Sequence, residues 1–523
     1  MAARCFALVS LPIVFLVGSA ATIEPVLSIA AIAMCILAVL VRAQFRSLHP
    51  VHSTSGLQPD WIVVILPTAL AMRSISATAS VVIPTVLLAA AFIRKTDRRF
   101  HVQPGPFILL VAASAIVFSR PTYTGPLLTF LPLMTFLLVG TLVARLVFTV
   151  DARRIIVGLI DGCGVYLLAN VLLHAVGLQS PASNVRFGGL VESTGFVRTI
   201  YPLTWSLNTP PAIAAIYFAA IAFVILETGW LRRSFRLICL IAAIVVLVGA
   251  GARAPMVVAA VLAITIISFP YISRGLGQAA AILTAISAFI LPVFITWAKS
   301  GIAPFISLVP GRAFNAGSID SIGGRDYIWK NAIDYWIELV NSPLHKLFGF
   351  GTNGQYRSGA SLTYSEGLAK IIRNPETAFV HNSFLQQLFD GGLVGWLLLA
   401  LAAYWASAKL AKRQLAWGNR GLTAIVAMAV LLLSGITEVS LAPGAAEDTF
   451  WLLMILIGVA CQASGTTSLT HRGHEAAAPQ GMETMRSASV QESRHGLQSM
   501  HDDFFTPDRR ATPRTSSAMS ASN

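Results

Sequence analysis

The sequence predicts an all-α polytopic membrane protein, a bundle of about 12–14 transmembrane helices with one long extracytoplasmic loop carrying an amphipathic helix. Three observations predict it. The chain of 523 residues is 55% hydrophobic and only 11% charged, outside the range of soluble domains. Its apolar residues come in runs of roughly 15–25, separated by short basic or Pro/Gly loops. One long polar stretch, Lys299–His381, interrupts the apolar part of the chain.

The net charge of +14 invites a nucleic-acid reading, but the basic residues sit in short loops beside apolar runs rather than along one soluble face, so no nucleic-acid partner is expected. Cys5, Cys35, Cys163, Cys239 and Cys461 all fall within apolar segments. Neither a disulfide framework nor a metal-ligand spacing follows, and no metal or cofactor is expected.

The first run, Cys5–Ala21, follows Arg4 and ends in Gly18-Ser19-Ala20-Ala21, as a signal peptide with a small-residue cleavage site would. A retained first span is preferred, because Val26–Val41 follows almost at once. Further runs lie at Trp61–Met72, Thr78–Ile93, Pro106–Phe118, Pro126–Phe148, Ile155–Leu178, Pro210–Leu226, Phe235–Ala250, Pro255–Phe269, Gln278–Ala298, Phe384–Ala408, Gly421–Leu441 and Thr449–Cys461. Several are short against the ~20 residues needed to cross a ~30 Å hydrocarbon core. The Trp61–Ile93 pair can therefore be a single broken or re-entrant element, which gives the range of span counts. The chain divides into an N-terminal bundle (1–298), an extracytoplasmic loop (299–383), C-terminal helices (384–463) and a tail (464–523).

Orientation follows from charge. With the N-terminus in the cytoplasm, alternation puts Arg42/Arg46, Arg94-Lys95/Arg98-Arg99, Arg153-Arg154, Arg232-Arg233/Arg236, Arg274 and Lys409/Lys412-Arg413/Arg420 inside. The outside receives Glu24, the 179–209 loop, the turn at Arg253 and the whole Lys299–His381 stretch. From Ser464 onward the polar, Ser- and Arg-rich composition predicts a disordered cytoplasmic tail, in which Asp502-Asp503-Phe504-Phe505 has the form of a partner motif.

On the outside, Arg186, Arg198 and Arg253 run against the topology rule. Each can contact a lipid headgroup or a carboxylate such as Glu192, or hold phosphate through a bidentate guanidinium fork. Within the long stretch, Trp329, Ile333, Trp336 and Val340 fall on one face of a helix that opens near Arg325-Asp326 and ends at Asn341-Ser342-Pro343. Such a helix lies on the membrane or caps the bundle. Phe348-Gly349-Phe350-Gly351 is turn-rich but lacks the strand context of a nucleotide-binding loop. Ser383-Phe384-Leu385-Gln386 reads as a capping box, so a helix begins at about Ser383 with His381 just before it. A boundary histidine is often structural. An imidazole there can also act as a general base near pH 7, and the helix dipole draws anions to the same point.

Taken together, Gly324-Arg325 with Trp329, Phe348-Gly349-Phe350-Gly351, and His381-Asn382-Ser383-Phe384-Leu385 running into Gly391-Gly392-Leu393-Val394-Gly395 carry a resemblance. Weaker matches are Arg186-Phe187-Gly188-Gly189 and the Ala252-Arg253 turn. The chain resembles the superfamily of O-antigen ligases and O-antigen/exopolysaccharide polymerases of the bacterial inner membrane. The resemblance implies a bundle of about a dozen helices and a glycan donor carried on undecaprenyl diphosphate. It also implies a lipid-core or glycan acceptor, contact with the bilayer and with other polysaccharide-assembly proteins, and no metal or nucleotide sugar. By resemblance His381 is the base, Arg253 and Arg325 hold the diphosphate, and Arg186, Trp329 and Asn382 bind substrate. The sequence departs from the family pattern at Ala252, where Ser or Thr is usual, and shows no clear Asn-rich patch after Arg186.

The chemistry is consistent with one base, cationic stabilisation of a leaving diphosphate and lipid access. No carboxylate pair at glycosidase spacing is evident in the loop, which argues against hydrolysis. Ligase and polymerase remain equally open. Two other readings stand beside them: a C-type lipid-sugar transferase with Glu24 as base, and a transporter or flippase. The spans are nearly free of mid-membrane charge apart from Asp161 and Asp390, which speaks against transport.

Overall fold

Apolar runs without competing polar side chains satisfy their backbone groups internally by forming helices. The structure, a computed structural model, bears this out over residues 58–72, 79–94, 100–119, 126–180, 199–204, 206–225, 229–251, 253–306, 325–367, 375–445 and 447–463, which are the residues described. The chain divides into Met1–Thr467, which contains all of these, and Ser468–Asn523. The runs Cys5–Ala21 and Val26–Val41, Glu24 between them, and the tail from Ser464 with its Asp502–Phe505 motif lie outside the described residues.

The remaining runs are α1 (Trp61–Ala71), α2 (Ala79–Ile93), α3 (Gly105–Phe118), α4 (Pro126–Thr149), α5 (Ala152–Ala175), α6 (Thr209–Ile221), α7 (Trp230–Gly249), α8 (Arg253–Ser268) and α9 (Ser273–Ile306). The polar stretch contributes the short helices α10 (Arg325–Asp334), α11 (Pro343–Phe348), α12 (Gly354–Arg357) and α13 (Ala360–Gly367). After it come α14 (Ser383–Trp417), α15 (Asn419–Ser434) and α16 (Asp448–Cys461). Among the described residues there is no strand, and one isolated bridge pairs Val102 with Gln462. Among the described residues, three helices are long and apolar enough to cross a membrane: α5, the Ser273–Pro292 part of α9, and α14. The Trp61–Ile93 pair is two helices, α1 packed on α5 and α2 on α4.

Several boundaries differ from the expectation, each for a local reason. α9 runs on to Ile306, because only Lys299 and Ser300 interrupt the apolar sequence there. α14 extends to Trp417 through helix-forming residues, until Gly418 at φ 56° ends it. Near the end of α14, Arg413 is buried and donates to the carbonyls of Val459 (3.3 Å) and Ala460 at the C-terminus of α16, where the helix dipole favours a cation. α15 stops at Ser434 rather than Leu441, and residues 435–445 turn across the bundle end. The amphipathic helix is α10 continued by one π turn, Tyr335–Leu339. Its Trp329, Ile333, Trp336 and Val340 are buried, so it caps the bundle through that face.

Helix ends sort the bundle into two faces. At one end, Arg94 pairs with Asp60, whose N–H donates to the Arg154 carbonyl. At the same end Lys409 Nζ donates to Gln103 O (3.2 Å), Gln103 N–H to Cys461 O (2.8 Å), and Ser273 Oγ to Gln414 Oε1 (3.0 Å). At the other end the 199–204 segment is stitched to α5 and α7 by Leu203 N–H to Asn170 Oδ1 (2.9 Å) and Thr199 N–H to Gly249 O (3.0 Å). There too Ser383 N–H donates to Gly435 O (2.8 Å). Arg94, Arg154 and Lys409 thus gather at one end, and the starts of α6 and α14 at the other.

Two features inside the bundle matter for the site. Asp161 of α5 accepts from Arg236 of α7 through Nε (2.7 Å) and Nη2 (3.2 Å), both side chains fully buried. Arg236 also donates to the Val224 carbonyl at 2.7 Å. Arg236, expected in a basic loop, is therefore an internal counter-ion. α14 is broken at Gly392, which sits at φ 65° and lies so close to the chain that an added Cβ would be 2.3 Å from the Leu347 carbonyl. The Phe348-Gly349-Phe350-Gly351 turn clasps this break: Phe350 N–H donates to Phe389 O (2.8 Å) and Gly351 N–H to Asp390 O (2.9 Å). Carbonyls that a broken helix leaves without partners are satisfied in this way. Gly349, at φ 67° and packed on the Asp390 backbone, admits no side chain either.

Candidate functional site

The site forms where α6, α10, α14 and the 435–447 turns meet. α14 begins at Ser383 as expected, but its cap is Asn382: Oδ1 accepts from Phe384 N–H (3.0 Å) and Leu385 N–H (2.8 Å). Ser383 Oγ instead donates to the Glu438 carbonyl (2.6 Å), and Gln386 reaches Gln355 (2.6 Å) and Asp390 (2.8 Å). The capping-box reading therefore located the helix start and misassigned the capping residue.

His381 precedes this cap at φ 48°, a left-handed conformation costing a non-glycine residue about 1–2 kcal/mol. The segment leading into it is held on both sides. Trp329 Nε1–H donates to Val380 O (2.8 Å), the Tyr364 hydroxyl donates to Ala378 O, and Val380 N–H donates to Gln386 Oε1 (3.4 Å). Burial pushes the Tyr364 hydroxyl well above its ordinary range, so it remains a donor at any physiological pH. A strained residue kept in place by its surroundings is a functional candidate.

Glu438 sits at the centre. Its Oε2 lies 3.3 Å from His381 Nδ1 and accepts from Asn208 Nδ2 at 2.6 Å, while Oε1 takes an ion pair from Arg325 at the start of α10. The Glu438 carboxylate is nearly buried, whereas the His381 side chain is 36% exposed. A carboxylate only accepts hydrogen bonds, so in the neutral imidazole this contact places the proton on Nδ1 and leaves Nε2 as the acceptor. Among the described residues nothing bonds to Nε2. Beside this cluster Thr209 Oγ1 donates to Glu447 Oε2 (2.6 Å), which ties α6 to the start of α16.

Of the residues expected at the site, His381 and Arg325 come together through Glu438. Trp329 and Asn382 are both buried, and Asn382 Nδ2 donates to Ser287 Oγ (2.9 Å) and Ile436 O (3.0 Å), which places the two side chains in the packing beside His381. Arg253 is the first residue of α8, and its side chain lies outside the described residues, as does Arg186 with the whole of 181–198. Among the described residues no group of three metal-ligating side chains occurs. Sequence reasoning missed Glu438 and Asn208. The signal for Glu438 was a carboxylate three residues after Gly435 within a run otherwise taken as a span.

Chemically, the arrangement offers one base with an orienting carboxylate, a guanidinium about a fifth exposed, and a position at the end of a bundle of apolar helices. No protein-family model matches the chain, and no curated protein matches it.

Proposed function

We propose that the protein is a membrane glycosyltransferase of the O-antigen ligase or polysaccharide polymerase type. It moves a glycan from undecaprenyl diphosphate to an acceptor hydroxyl on a lipid core or another glycan. In this reading it is a multi-pass protein of the bacterial inner membrane, with the basic end of the bundle and both termini in the cytoplasm and the His381 end in the periplasm. The single observation that carries the reading is the His381–Glu438–Arg325 cluster, with the histidine in a strained backbone conformation and its outer nitrogen unbonded among the described residues.

The reaction uses these groups directly. His381 Nε2 takes the proton of the acceptor hydroxyl as its oxygen forms a bond to the anomeric carbon. The bond from that carbon to the phosphate oxygen breaks, and the electron pair leaves with the lipid diphosphate. Glu438 keeps Nδ1 protonated and stabilises the imidazolium that forms. Arg325 is shared between Glu438 and the departing phosphate, whose charge grows as the bond breaks. Arg253 and Arg186 are proposed as further phosphate ligands on the strength of the resemblance alone. Against a transporter stands the commitment of Asp161 to Arg236, which leaves that carboxylate neutralised within the fold.

Deleting the gene and separating the surface glycans on a gel tests the reading. Full-length chains left unattached indicate a ligase, and single attached repeats a polymerase. Unchanged glycans in the deletion strain would refute both.

A further inference from the structure

The short helix α11 is amphipathic in the reverse sense for a segment facing water. Leu344, Leu347 and Phe348 are 61%, 42% and 41% exposed. Its polar side chains turn back onto the protein: the His345 ring stacks on Phe350 at 4.3 Å and 17°, and Lys346 Nζ reaches the Ile337 carbonyl at 3.3 Å. In water this arrangement exposes the wrong face. In hydrocarbon it is the expected one, with the lysine snorkelling toward a polar level.

The position of α11 along α14 gives its depth. The Leu347 carbonyl lies against Gly392, so α11 sits beside Leu393. Leu393, Leu397, Leu401 and Trp405 form an exposed stripe down α14 at intervals of four residues, ending where Lys409 stacks over Trp405 at 5.3 Å. An aromatic residue beside a lysine marks a membrane boundary. At 1.5 Å per residue, Leu393 lies about 24 Å above Lys409, inside a hydrocarbon core of about 30 Å. The exposed apolar surface of α11 therefore continues the stripe rather than standing above it. Lys346 Nζ turns toward the π turn Tyr335–Leu339, which carries the exposed Glu338.

We propose that α11 is a wedge sunk in the hydrocarbon of the leaflet on the His381 side, with acyl chains covering Leu344, Leu347 and Phe348. The capping stretch is then a re-entrant element and not a lid standing clear of the bilayer. Its clasp onto the Gly392 break joins the lipid phase to the helix that presents His381. The proposal rests on the membrane-spanning part of the functional reading and not on the transfer chemistry.

The test is site-directed spin labelling of the full chain in lipid nanodiscs, in a cysteine-free background that keeps the wild-type melting temperature. Nitroxides are placed singly at Leu344, Leu397 and Lys330, and relaxation by molecular oxygen is compared with relaxation by a water-soluble nickel chelate. At Leu344 oxygen should dominate as it does at Leu397, while the chelate dominates at Lys330. Three results at Leu344 overturn the wedge: dominance by the chelate, an immobile label shielded from both reagents as under a second copy or another protein, or a depth outside the acyl region. Dominance by the chelate at Leu397 as well would overturn the membrane reading itself, which separates the two failures.

Discussion

Replacing Glu438 by Gln examines the arrangement at its centre. The substitution keeps shape and volume but removes the charge that Arg325 pairs with and one acceptor oxygen shared by Asn208 and His381. A hydrogen bond to a charged partner contributes about 1.5–3 kcal/mol. If that stabilisation is present in the transition state, when His381 carries the proton, its loss lowers kcat about 10- to 150-fold at 1.4 kcal/mol per tenfold. In the proposed reading the freed Arg325 stays available to the phosphate, so KM for the lipid-linked donor should hold or fall. The assay is transfer of a defined glycan from undecaprenyl diphosphate to acceptor by purified protein, with thermal unfolding run in parallel to confirm folding. A folded Glu438→Gln protein with kcat within twofold of wild type would refute the role assigned to this carboxylate.

Other consequences follow from the packing. Breaking the buried Asp161–Arg236 pair with Arg236→Met should destabilise by about 3–5 kcal/mol, whereas replacing both partners with apolar residues should restore most of it, as read by melting temperature. Gly392→Ala and Gly418→Ala separate conformation from contact, since both glycines have positive φ but only Gly392 would push a Cβ into backbone. Gly418, at φ 56° and ψ −136°, lies in a region that glycine favours, so Gly418→Ala should cost about 1–3 kcal/mol, and Gly392→Ala should fail to give folded protein. Asp151, ahead of α5, is half-buried, which by itself would raise its pKa. The Arg153 N–H and guanidinium, with the Arg154 charge, outweigh burial and hold it below the ordinary carboxylate value. The stability it supplies is therefore full above that value and is lost as pH falls through the lower folded one. An Asp151→Asn variant should lose that acid dependence in a melting series.

Much of the fold was legible because backbone satisfaction in apolar surroundings leaves few choices. Every apolar run within the described residues became a helix, and Arg94, Arg154 and Lys409 gathered at one end. What periodicity could not see were polar residues that keep a helix going and a turn that stops one before its apolar run ends. Lys409–Arg413 stay helical because they are good helix formers and Arg413 finds carbonyls of α16. Glu438 lies beyond the end of α15, which gives way to turns at Gly435, and its partners come from 113 and 230 residues away in sequence. No local pattern encodes such a convergence. His381 was legible by its place before a helix start. Its left-handed backbone was not, since that depends on Trp329, Tyr364 and the clasp at Gly392 acting from other segments.

The central claim is that His381 is the base of a glycan transfer. Its most direct measurement is in vitro transfer by purified wild-type and His381→Ala protein, each with a cooperative melt. The account predicts transfer by the wild type and none detectable by the variant. Transfer by His381→Ala at a rate near that of the wild type would contradict it, as would a folded wild type that transfers nothing from an undecaprenyl diphosphate donor.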